Sequence, residues 1–81
     1  MQEKEKTLLD ALGMLERGDW QQAHEIVQKH KTPYAYWLHG IVHLMEDDME
    51  NARYWYKRAK RKLSKDARAE IAAARAALEQ D

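Results

Sequence analysis

Leu8, Leu12 and Leu15, with Ala11 and Met14 beside them, recur at spacings of three and four, the period that keeps one face of a helix apolar. The pattern predicts a first helix from about Thr7 to Arg17, ended by Gly18. Asp19 follows where a side-chain oxygen can accept the free N–H groups of a new first turn, and Gln22 stands at the capping-box distance. A second helix is therefore predicted from Trp20 to about His30, with Trp20, Ala23, Ile26 and Val27 facing inward. His24 and His30 read as surface or edge positions.

Thr32-Pro33 restarts the chain, since a proline at the first helical position sacrifices no hydrogen bond. The third helix, about Pro33 to Glu46, is apolar nearly all round through Tyr34, Trp37, Leu38, Ile41, Val42, Leu44 and Met45, which marks it as the central one. In the acidic turn Glu46-Asp47-Asp48, Asp48 is the expected cap and Glu50 adds favourable charge near the next helix start. A fourth helix, about Met49 to Leu63, sets Ala52, Tyr56, Ala59 and Leu63 on one stripe and leaves Arg53, Lys57, Lys60 and Arg61 mainly on the other. Ser64 is the expected cap of a fifth, alanine-rich helix from Ala67 to Leu78, suited to cover the last open face of a helical stack.

The chain also echoes itself. Shifted by 29 residues, Ala11, Leu12, Leu15, Asp19 and Ala23 fall on Gly40, Ile41, Leu44, Asp48 and Ala52. Such an echo predicts two similar helical hairpins that press their apolar faces together because neither covers its own. The expectation is one all-α domain over 1–81, with a hairpin at 7–30, a second at 33–63 and a capping helix at 64–80.

The run Gly18-Asp19-Trp20-Gln21-Gln22-Ala23 resembles the turn and second-helix start of a tetratricopeptide repeat. In the second unit Gly40, Asp48, Ala52, Tyr56 and Ala59 stand where that repeat has its small residue, turn, alanine, aromatic and later alanine. The likeness covers about Thr7 to Leu63. The period is shorter than the family's usual length of about 34 residues, and His39 and His43 occupy positions usually apolar or aromatic. What the resemblance implies is a right-handed stack of antiparallel helix pairs that binds peptides or other proteins, without catalysis.

Composition narrows the classes further. With 81 residues the chain suffices for one small core, and with no cysteine it has neither disulfides nor thiolate metal ligands. No stretch approaches the roughly 18 apolar residues of a membrane span, and Met1-Gln2-Glu3-Lys4-Glu5-Lys6 lacks a secretory signal's apolar core, so the reading is cytoplasmic. Net charge is zero, yet residues 1–50 hold 10 acids and 5 bases while residues 51–81 hold 4 acids and 9 bases. Lopsided charge of this kind can orient a partner or be compensated within the fold.

No nucleophile in a recognisable setting and no glycine-rich phosphate loop is present, so neither an enzyme nor a cofactor is expected. The aromatic run Tyr54-Trp55-Tyr56 cannot face one core at 100° per residue. Tyr56 is expected inside, and Trp37, Arg53, Tyr54, Trp55 and Lys57 are expected to form a partner surface for a protein segment or a second copy of the chain. Two alternatives accompany this reading. Between Asn51 and Lys65 there are seven bases and no acid around the aromatic run, a pattern that also suits RNA or phosphate. His39 and His43, one turn apart and followed by Asp47, can be read as a divalent-metal trio or as packing residues bonded to Tyr54, Tyr56 or Asn51.

Overall fold

The computed structural model describes residues 7–79. The charged segment Met1–Lys6 and the last two positions of the chain lie outside the described residues, so the reading of Met1–Lys6 and the final position of the expected capping helix fall there. Five helices follow in order: α1 (Leu8–Glu16), α2 (Trp20–Val27), α3 (Pro33–Met45), α4 (Met49–Arg58) and α5 (Ala67–Glu79), with no strand among the described residues. No described helix is long and apolar enough to cross a membrane.

Local chemistry sets each boundary. Thr7 and Asp10 form a reciprocal capping box, with Asp10 N–H donating to Thr7 Oγ1 and Thr7 N–H to Asp10 Oδ2 at 2.8 Å. Thr32 Oγ1 accepts from Ala35 N–H ahead of Pro33. The turns joining α1 to α2 and α3 to α4 are built alike. Gly18 (φ 85°) and Asp47 (φ 66°) enter the left-handed region, and the N–H groups of Asp19 and Asp48 reach back to Met14 and His43 carbonyls at 2.8 Å each. Each aspartate then caps the following helix, Asp19 accepting from Gln22 and Asp48 from Asn51, through backbone and side-chain amide together. The turns after α1 and α3 thus share one hydrogen-bonding pattern, with Asp47 in the place of Gly18.

Two helices end short of their expected bounds. α2 ends at Val27 rather than about His30, where the Lys29 and His30 N–H groups turn back to the Ile26 and Val27 carbonyls. α4 stops at Arg58 rather than near Leu63, because Lys60 turns left-handed (φ 60°) and Arg61 N–H bonds the Tyr56 carbonyl. The early stop lets the Arg61 guanidinium fold over the Trp37 ring, 3.5 Å from its centroid. Asp66, not Ser64, caps α5 by accepting from Ala69 N–H, while Ser64 Oγ accepts from Asp66 N–H in the approach to the helix.

α1 packs on α2, α3 on α4, and α2 on α3, around a core of Leu12, Leu15, Val27, Leu38, Ile41, Val42 and Tyr56. At Gly40 the Tyr56 ring of α4 lies directly against the α3 backbone: a methyl group there would overlap Tyr56 Cδ1 and lie 2.7 Å from its Cε1. α5 does not extend the row beyond α4. It returns across α3 and α1, fixed by Tyr34 Oη donating to the Ala74 carbonyl at 2.7 Å and by a two-pronged Arg75–Glu16 pair.

Candidate functional site

The structure assembles its most concentrated polar chemistry at the junction of α2, α3 and α4. His39 and His43 sit one turn apart on α3, 5% and 7% exposed, with their rings stacked at 5.2 Å. Into this pair α2 brings His24, only partly buried, whose Nε2 lies 3.0 Å from His39 Nε2. One ring of that contact donates and the other accepts. His43 Nδ1 meets Glu46 Oε1 at 2.8 Å, where the helix ends and Glu46 turns back along it. On the far side of His39 the Trp55 indole lies parallel, 3.8 Å between centroids and 10° between planes.

Burial governs the charge of this cluster. Desolvation, reinforced by charge on His24 and His43, pushes the His39 imidazole down to about 3. His24 is lowered by the same causes, desolvation first and then the charge on His43, against weaker opposition from Glu46 and Glu25. Both rings are neutral at neutral pH, which is the form that offers a ring-nitrogen lone pair.

Asp47, read from sequence alongside His39 and His43, is not among the residues that the structure gathers with them. Asp47 occupies the left-handed turn position after α3, so its side chain does not continue the His39–His43 face. The residues that gather around the two histidines are His24 on one side, and Glu46 and Asp48 beside His43. His24, expected at a surface or edge, is the residue that sequence reasoning missed. It follows the buried Ala23 and precedes the buried Val27 by one helical turn, so its position on the flank of the apolar stripe carried the signal. The expected packing partners Tyr54, Tyr56 and Asn51 are replaced by His24, Glu46 and Trp55: Tyr56 Oη donates to Glu70 Oε1, and Asn51 is held by Asp48.

The expected partner surface divides. Trp37 is 2% exposed and belongs to the core, its indole N–H donating to Glu70 Oε1 at 3.0 Å under α5. Arg53, Tyr54 and Lys57 are exposed on α4, and Trp55 is half-buried. Two further residues join them. Arg58 lies 4.7 Å from the Tyr36 ring centroid, 5.4 Å from that of Trp55 and 5.7 Å from that of Tyr54, and it donates to the hydroxyls of Tyr54 and Tyr36. Tyr36 and Trp55 pack at 5.6 Å, and Tyr54 meets Trp55 edge-on at 5.0 Å. The result is a cation held on an aromatic platform whose inner layer, Trp55, is shared with the histidine cluster.

A shallow cleft of about 180 Å³ lies near the start of α3, lined by Pro33, Tyr34, Trp37, Ala59, Arg61 and Ala77. It is smaller than the roughly 300 Å³ at which small-molecule pockets begin. Compared with known proteins, the chain matches no family, no curated protein and no solved structure.

Proposed function

We propose that the chain is a non-enzymatic protein-interaction module, a tetratricopeptide-like pair of helical hairpins whose α4 face takes an acidic segment of a partner protein. The observation that carries this reading is Arg58, oriented by two tyrosine hydroxyls and three rings. An arginine already held in place loses less freedom on binding a carboxylate, and the exposed Tyr54 ring with the half-buried Tyr36 and Trp55 adds contact area around it. Arg53 and Lys57 flank the platform, and no acid interrupts the basic run from Asn51 to Lys65. Charge complementarity therefore selects an acidic partner.

The test is fluorescence anisotropy with a labelled Asp/Glu-rich peptide containing one aromatic residue, at low and moderate salt. Binding is expected, weakened about tenfold by Tyr54→Ala and by Arg58→Ala, and unaffected by Lys31→Ala in the connection between α2 and α3. Absence of binding at low salt would remove this reading. A labelled oligouridine that bound more tightly than the peptide, with a steep loss on adding salt, would assign the face to RNA instead.

A further inference from the structure

We propose that His24, His39 and His43 form a three-imidazole site for a divalent transition-metal ion of the zinc class. The three side chains come from two helices, and their ligand atoms all lie within 4.8 Å of one another. A tetrahedral ion with Zn–N bonds of about 2.0–2.1 Å separates its nitrogens by roughly 3.3 Å, so the 3.0 Å between His24 and His39 Nε2 is close to the span that an ion needs. The least buried ring, His24, sits at the rim and provides the freedom to open that contact and the route of entry.

Glu46 strengthens the case. A metal-bound imidazole characteristically donates its other N–H to a carboxylate, which fixes the ring and its tautomer. His43 Nδ1 faces Glu46 Oε1 at 2.8 Å, which leaves Nε2 as the nitrogen with the lone pair. For the His24–His39 pair, coordination replaces the single proton between the two Nε2 atoms. The ring that carries it moves it to Nδ1, and no net proton is lost from the neutral rings. Three imidazoles without thiolate or several oxygens favour zinc, nickel or copper over magnesium or calcium. Three protein ligands also leave a fourth position open.

This site is independent of the acidic-segment reading, and the experiment separates the two. Chelator-treated full-length chain is titrated with ZnCl2 by calorimetry while the imidazole resonances are followed by NMR. The expected result is one Zn2+ per chain, with the ring signals of His24, His39 and His43 moving together and that of His30 unmoved. His24→Ala should abolish the binding heat while keeping the wild-type helical circular dichroism. Glu46→Gln, which leaves the three rings in place, should weaken binding about tenfold. MgCl2 should give no signal. The proposal is overturned by silent calorimetry with unshifted rings in the wild type, or by His24→Ala binding Zn2+ as tightly as the wild type.

Discussion

The hydroxyl of Tyr56 on α4 donates to the carboxylate of Glu70 on α5 at 2.6 Å, and the same Glu70 oxygen accepts the Trp37 indole N–H from α3. One carboxylate thereby satisfies two polar groups of otherwise buried aromatic side chains. Burial, and then the bond to Glu70, raise the Tyr56 hydroxyl well above its ordinary range, so it stays a donor at any ordinary pH.

Glu70→Ala leaves both donors without their acceptor. The expected cost is about 2–3 kcal/mol of stability, read from the urea midpoint with an unchanged m-value. Glu79→Ala, on the exposed end of the same helix, should change little. A Glu70→Ala protein as stable as the wild type would contradict the role assigned to this contact.

Arg75 and Glu16 make a geometrically good pair across α5 and α1, and the bond to Arg75 holds the Glu16 carboxyl below its usual range. Both side chains are about a third exposed, at 34% and 36%. Solvent screening limits such a pair, so Arg75→Ala should lower the urea midpoint clearly less than Glu70→Ala does. A loss as large as that of Glu70→Ala would show that charge rather than the buried hydrogen bonds fastens α5.

Gly40→Ala places a methyl group against the Tyr56 ring, whose hydroxyl is tied to Glu70 and whose retreat is limited. The expected destabilisation is about 1–3 kcal/mol by overpacking. Gly40→Ala combined with Tyr56→Leu should cost less than the sum of the two single losses, since removing the ring relieves the overlap. Strict additivity would contradict the close approach.

Stability should also depend on pH through His39, which faces His24 on α2, His43 on its own helix and the Trp55 ring on α4. Its folded value is lowered to about 3, against an unfolded value of about 6.5. Between these values the unfolded chain binds the extra proton, so the contribution is complete above the unfolded value and is lost as pH falls towards the folded one. The lowered His24 acts in the same direction, and Glu16 and Asp48, both lowered, extend the loss at more acid pH. Thermal melts should show Tm level at neutral to mildly alkaline pH and declining steadily below about pH 6. His39→Leu should flatten that decline, and a wild-type Tm that rose on acidification would reverse the assigned sign.

Much of the scaffold was legible because its signals are local. Thr7, Asp19, Thr32 and Asp48 cap the helices that the apolar spacing predicts, and Tyr56, Ala52 and Gly40 meet where the stripes require them to. The path of α5 was not, since its place on α1 and α3 depends on long-range contacts such as Tyr34 with Ala74 and Trp37 with Glu70. For the same reason Trp37 read as available surface until α5 closed over it. His39 and His43 were visible as a pair through one-turn spacing. His24 joins them only when α2 packs on α3, and sequence separation hides such a meeting.

The convergence of His24, His39 and His43 beneath Trp55 is the claim on which the chemistry of this chain turns, and imidazole NMR of the metal-free protein tests it most directly. The structure predicts nuclear Overhauser contacts between the rings of His24 and His39, and between His39 and the Trp55 indole, with His39 still neutral at about pH 5. Four histidines titrating alike near their ordinary value, with no ring-to-ring contacts, would contradict it.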